Sequence, residues 1–311
     1  MSASARRSSS RGARTSGRTR TSTASGCVAS ATGAIAAETL GAYTTARRSS
    51  TTGSVPCRAV WTSTATKRTD TDHAGMYLAY GHGKMEVTQN LLTTTRDAGD
   101  NDFGAFSVGG YWTRFSENGW YLDGVVQGTW YDVTTHSNRP TQIGFPEQSI
   151  DGFGFAASLE GGYPFDLSDG WQLEPQAQII WQTIRMDDFN DGAADVRYDN
   201  LNSFAGRIGA RVARTWEAEE ATATEPARLA TVWGRVNVWR EFTAKAQTDV
   251  SSADGFVPFS SNLDETWIEL GLGATRQVSS NTSLYGNVNF STSFDGDNYA
   301  WNGKLGLRVN W

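Results

Sequence analysis

The 243 residues from Thr69 to the C-terminus contain no cysteine; the two that the chain has, Cys27 and Cys57, both lie upstream. A disulfide scaffold is thereby excluded for most of the chain, and the pair lacks metal-ligand spacing. No run of about 18 apolar residues occurs, which excludes a transmembrane helix. No secretory leader is expected, because the paired arginine of "ARRSSS" is not followed by an apolar stretch. Histidine is scarce. His73, His82 and His136 are the only three, none at metal-ligand spacing, and surface loops are their expected place. There is no nucleophile elbow around any serine, no zincin helix and no phosphate-cradling glycine loop. No catalytic residue, cofactor or metal is expected, and an enzyme is the reading with least support.

Charge divides the chain in two. Residues 1–68 hold ten Arg, one Lys and a single acid, Glu38, for a net +10. The remainder holds 16 basic and 32 acidic residues, for a net −16. The stretch "SASARRSSSRGARTSGRTRTSTASG" has almost no apolar residue with which to offset its ordering entropy, so residues 1–68 read as a disordered basic tail. It has no interleaved aromatics and no recognisable module, so no nucleic-acid partner is expected. The abrupt change of charge suits an extension foreign to the rest, as a shifted frame or truncated gene would leave. The domain proper is expected over 69–311.

From His73 onward the dominant signal is alternation with period two, the period of a strand. In "WQLEPQAQIIWQT", Trp171, Leu173, Pro175, Ala177, Ile179 and Trp181 alternate with Gln172, Glu174, Gln176, Gln178, Ile180 and Gln182. Ten such stretches can be read. They include "GMYLAYG", "FGAFSVGGYWTRF", "WYLDGVVQGTWY", "FGFAASLEGGY", "FAGRIGARVARTW" and "TVWGRVNVWREF". "TWIELGLGAT", "SLYGNVNFST" and the terminal "YAWNGKLGLRVNW" complete the set. Helical patterns are nearly absent, which leaves a soluble β-sandwich or barrel against a transmembrane β-barrel.

Two features separate these. Apolar faces carry aromatics near their ends, as in Trp120/Trp130, Trp171/Trp181 and Tyr299/Trp311, which matches the interfacial girdles of a membrane barrel. Connections also alternate in length. "SENG", "DLSDG" and "VSSN" are short, whereas 84–101, 134–150, 185–201 and 245–263 are long, as periplasmic turns and outer loops should be. "EAEEATATEPARL" and "FDGDN" break the rule. The fold expected is all-β, an antiparallel transmembrane barrel with ten readable strands after a tail.

The runs "GGYWTRFSENGWYLDGVVQGTWYDV", "DGFGFAASLEGGYPF", "WQLEPQAQIIWQ", "RIGARVARTW" and "YAWNGKLGLRVNW" resemble, in that order, the C-terminal translocator domain of classical autotransporters. The resemblance covers 69–311. It implies a twelve-stranded barrel of type V secretion in the bacterial outer membrane, carrying an N-terminal passenger to the surface with a helix in the pore. It also implies as partners outer-membrane lipid, the barrel assembly machinery and the chain's own passenger segment, if one lies upstream. The terminal aromatic, Trp311, would then be an assembly signal as well as an anchor. Three departures stand out: ten strands are readable where the family has twelve, no passenger motif precedes the barrel, and only the weak "AIAAETL" could be a pore helix. A truncated or partial autotransporter fits these departures. A porin-like or structural barrel without passenger is the alternative.

Parity assigns the faces. Asp123, Gln127, Glu160, Gln172, Glu174, Gln176, Gln178, Arg207, Arg211, Arg235, Asn237 and Glu269 are expected to line the pore. Tyr299, Trp301, Leu305, Leu307, Val309 and Trp311 are expected to face lipid. Mixed signs in the pore would hydrate an extended polypeptide without gripping it. Some members of the family cleave their passenger with acids inside the pore, but the matching linker is absent and cleavage is not expected. "DDFNDGAAD" has acids like those of a calcium loop, yet Phe189 takes a ligand position and the closing Glu is missing, so a solvated outer loop is expected.

Overall fold

A computed structural model describes residues 23–32, 52–54, 57–67, 70–91, 94–138, 147–220, 227–296 and 298–310, without side chains for 23–67, 87–97 and 310. Twelve long strands dominate. They are β1 (Thr23–Thr32), β2 (Cys57–Lys67), β3 (Asp70–Leu91), β4 (Thr94–Phe115), β5 (Tyr121–Ser137) and β6 (Glu147–Gly162). The second half comprises β7 (Trp171–Met186), β8 (Leu201–Glu219), β9 (Arg228–Glu241), β10 (Thr266–Gln277), β11 (Thr282–Ser293) and β12 (Tyr299–Asn310). Each strand pairs antiparallel with the next, from β1–β2 through β11–β12. β12 pairs back with β1, so the ladders form a ring. A ring leaves no strand edge, which is what lipid demands, since an unpaired backbone group there costs several kcal/mol.

Ten of these strands are the ten that the alternation shows. The other two, β1 and β2, lie inside the stretch read as a tail, and the structure corrects that reading at 23–32 and 57–67. The signal missed in β2 is composition: "CRAVWTSTATK" holds three Thr with Val60 and Trp61, residue types that suit a pleated surface even where alternation is weak. "AIAAETL" and Trp311 lie outside the described residues. Among the described residues no helix is long and apolar enough to cross a membrane.

Three of the connections expected to be long, 84–101, 185–201 and 245–263, carry strands, and 139–146 lie outside the described residues. β3 and β4 stay paired through 84–101 as far as Leu91 and Thr94, with one register shift at Val87/Thr88, so each spans 22 residues. A bilayer needs roughly ten, so this hairpin extends well beyond it. The 187–200 and 242–265 connections contribute Phe189–Asn190, Asp195–Tyr198, Lys245–Ser252 and Gly255–Asn262, which build a separate four-stranded sheet. In "DDFNDGAAD", Asp191 accepts from the backbone N–H groups of Ala193 and Ala194 at 2.9 and 2.7 Å, so this acid shapes a turn. At the opposite end, with Asn310, the turns are tight: in "SENG" the Ser116 N–H reaches the Trp120 carbonyl at 2.9 Å and Gly119 takes φ +90°. The histidines are corrected too: His73 and His82 sit in β3 and His136 in β5, not in loops.

Aromatic rings fold across glycines on the neighbouring strand. A Cβ on Gly109 would lie 2.2 Å from the Tyr77 ring, one on Gly162 2.4 Å from Tyr121, and one on Gly306 2.2 Å from Tyr285. Gly109→Ala is therefore expected to displace Tyr77 from Gln127, whose side-chain oxygen its hydroxyl reaches at 2.6 Å. Overpacking of this kind costs about 1–3 kcal/mol. The check is the temperature at which the folded band is lost on a gel of unboiled protein.

Candidate functional site: the inner face of the barrel

The two faces of the sheet differ in chemistry. Outward positions carry most of the large exposed apolar side chains, including Met76, Leu78, Phe106, Val126, Leu159, Ile179, Ile208, Leu270 and Leu272. Aromatics cluster there near the long-hairpin end: Phe106, Trp130 and Phe153 form a chain with centroids 6.1 and 5.4 Å apart. Near the other end Arg214 lies over Trp171, 5.6 Å from its ring. On β12, Tyr299 (77 % exposed), Trp301, Leu305 and Leu307 face outward, with Val309 half-buried.

The other face is polar, and its side chains reach across an intervening strand. Arg207 on β8 meets Glu160 on β6 at 2.6 Å, passing over β7. Arg235 on β9 donates to Asn289 on β11 at 2.8 Å, passing over β10. Tyr121 on β5 donates to Glu160 at 2.8 Å and to Glu174 on β7 at 3.2 Å. Side chains converge in this way only on a concave surface, so this is the inside of the ring.

Two networks result. The first joins Tyr121, Glu160, Glu174, Gln176, Arg207 and Arg211; Gln176 donates to Tyr121 at 2.9 Å, and Arg211 lies 3.4 Å from Glu174. The second joins Arg235 and Asn237 to Glu269, at 3.1 and 2.7 Å, and continues through Asn289 to Asn302 at 2.8 Å. Gln127 bonds Tyr77 and Thr129, and Asp123 accepts from Thr113. Gln172 sits at the rim with Asp166 at 2.9 Å, outside both networks, and Gln178 faces inward without joining either.

Several are packed into the wall itself. Asn237 is fully buried, and Arg207 and Glu269 are each 5 % exposed. The charges neutralise one another, a closer pairing than free lumen charges would give. Sequence reasoning placed tryptophan in the girdles, but Trp233, Trp239 and Trp267 share the parity of Arg235, Asn237 and Glu269 and face inward. Trp239 stacks on Trp267 with centroids 5.7 Å apart, and Arg207 lies over Trp239 at 5.3 Å. Parity was the signal that could have found them. Four buried atoms here have no hydrogen-bond partner: Nε of Arg207, Nε of Arg235, Nε1 of Trp239 and Oδ1 of Asn237.

Outside the bilayer the long hairpin brings together Asp100, Asp102 and His136, which no sequence spacing announces. Lys84 already lies 2.9 Å from Asp100 and 3.9 Å from Asp102. Its hydrogen bond holds the Asp100 carboxyl below the usual carboxylate range, so the group is occupied by an ion pair.

Known proteins carry the same architecture. A family model described as "Autotransporter beta-domain" matches residues 61–289. The adhesin BmaC autotransporter of Brucella suis biovar 1 (strain 1330) is 31% identical over 244 residues, 76% of this chain and 7% of that protein. The BrkA autotransporter of Bordetella pertussis (strain Tohama I) is 26% identical over 233 residues, 75% of this chain and 22% of that protein. The chain thus spans less than a quarter of the length of either relative. Among solved structures, the beta domain of Bordetella BrkA aligns with TM-score 0.64 at 19% identity, covering 93% of this chain and 97% of that one. The transport unit of AIDA-I from Escherichia coli aligns with TM-score 0.69 at 16% identity, covering 96% and 93%. The family match spans most of the chain and the fold agrees with it: the chain belongs to the autotransporter beta-domain family, as an outer-membrane translocator barrel.

Proposed function

We propose that this chain is the membrane-anchored end of a longer secreted protein and passes an upstream passenger through its ring to the cell surface. The observation that carries the reading is the opposition of faces: apolar and aromatic outside, polar and cross-linked inside. Lipid meets the first, and a polypeptide in transit would meet the second. The internally neutralised pairs leave little net field on a mixed-charge chain. The twelve inner residues act as the lining, and Trp311 acts as the terminal aromatic read by the assembly machinery. The domain extends from 69 to 311 and takes β1 and β2 from upstream of it; the rest of 1–68 is a tail. The barrel itself is not an enzyme, and it uses no nucleic-acid partner. Passenger identity is set elsewhere.

The test attaches an epitope upstream of the full chain behind a secretory leader and labels intact cells with antibody. Surface labelling, together with a faster-running band on gels of unheated protein, is the expected result. A folded barrel whose epitope stays inside would favour a porin-like role, and single-channel recording would then show open conductance.

A further inference from the structure

The outer wall is not uniformly convex. A groove of about 600 Å³ runs across β6, β7, β8 and β9 on the lipid-facing side. Register explains why it is there. Gly161 lies opposite Ala177, and Gly206 lies between Ile179 and Arg240, so three small residues on successive strands remove the bulk of the wall. A Cβ on Gly161 would find its nearest neighbour only at 3.6 Å, so the floor has room. Leu159, Ile179, Ile208 and Val238 form the sides, and Phe204 and Phe242, with centroids 5.9 Å apart, close the end toward the long hairpins.

Two arginines line this groove, and one of them, Arg207, turns its guanidinium to the inner face and onto Glu160. Arg240 is the penultimate residue of β9, exposed, and donates to Thr266 Oγ1 at 2.9 Å. Among the described residues, none of the ion pairs includes it. The strand end that carries it is fixed. Glu241, beside it and pointing inward, accepts from the backbone N–H groups of Phe204, Phe242, Thr243 and Ala244, each at 3.1 Å, and from Ser203 Oγ at 2.6 Å.

The charge around the rim is asymmetric. Over β3–β6 the outward positions beyond the aromatic chain carry, among the described residues, Glu86, Asp100, Asp102, Asp132, Glu147 and Asp151, against Lys84. An anionic headgroup is repelled there and attracted at Arg240.

We infer that this groove is a specific lipid site: it takes an acyl chain of a phosphorylated glycolipid of the outer leaflet, with a phosphate on Arg240. The groove faces hydrocarbon, where water is absent, so an acyl chain is the occupant that the medium supplies. Guanidinium matches phosphate in a bidentate manner. The choice of outer leaflet rests on the translocator reading, which puts the long hairpins outside the cell.

The test uses the full chain, purified in detergent, with native mass spectrometry against two probes, a bis-phosphorylated lipid A and phosphatidylglycerol. One lipid A per barrel is expected on the wild type, with phosphatidylglycerol retained weakly. Arg240→Ala and Ala177→Leu, which fills the groove with another apolar side chain, are each expected to lower lipid A retention about tenfold, the loss of one charge-assisted or shape contact. Both variants should keep the wild-type shift between unheated and boiled bands, which separates lost binding from lost folding. Equal retention by the wild type and both variants overturns the site. Preferential retention of phosphatidylglycerol overturns the choice of lipid. Neither measurement involves a passenger, so failure of surface labelling with lipid A binding intact would remove the export reading and leave the site standing.

Discussion

Glu160→Leu is expected to destabilise the barrel by about 3–5 kcal/mol, the cost of leaving a buried charge without its partner. The partner is Arg207, whose side chain is 4 % exposed against 23 % for Glu160 and whose guanidinium lies 2.6 Å from the carboxylate. Deleting the acid also removes an acceptor from Tyr121. The double variant Glu160→Leu/Arg207→Met is expected to recover most of the loss, because replacing both members of a buried pair by apolar groups is close to neutral. Urea unfolding of the protein refolded into lipid vesicles gives the free energies. If the double variant were as unstable as the single one, the pair would not be what holds β6 to β8 across β7. Surface labelling of the double variant adds a functional readout: a barrel of normal stability that exports its passenger more slowly would show the paired charges acting on transit.

This network also marks how far the sequence could be read. Alternation assigns a side chain to a face by parity alone, so Arg207, Glu160 and Glu269 could be placed inside without coordinates. Parity cannot say which residue on one strand meets which on another, because that depends on register and stagger around the ring. Thus the pairing of Arg207 with Glu160 rather than Glu174, and the passage of Arg235 over β10 to Asn289, were not legible. Inward aromatics were obscured for a different reason. Tyr121 and Trp233 stand at polar parity, yet aromatic residues are expected at the lipid interface, and only the glycines that they cross, Gly162 and Gly273, show why they turn inward. The outer loops misled through polarity: residues 84–101 have the composition of a loop, but out in water a long hairpin can present polar side chains on both faces, so alternation fades while pairing continues. Residues 57–67 failed in the opposite sense, being small and β-branched without a clean apolar face, and the ring accepts them through backbone pairing on both sides.

A charge placed on the outer face should reveal the membrane directly. Leu305 is the seventh of the twelve residues of β12, is 67 % exposed and lies opposite Gly286. Arginine there must sit near the middle of the hydrocarbon, and Leu305→Arg is expected to cost about 2–4 kcal/mol of folding stability in vesicles. Tyr299 begins the same strand on the same face, so Tyr299→Arg should cost only about 0–1 kcal/mol, because arginine near the interface reaches headgroups and water. Lys304, one residue from Leu305, points to the opposite face, and Lys304→Arg is expected to leave stability unchanged. These three substitutions form a depth and face gauge on a single strand. A water-soluble barrel would show no dependence on depth, and the costs at 299 and 305 would coincide. A barrel with its faces reversed would tolerate arginine at 305, where the polar interior would solvate it. Only a lipid-facing row that begins at one interface and crosses the midplane gives a large loss at 305, a small one at 299 and none at 304.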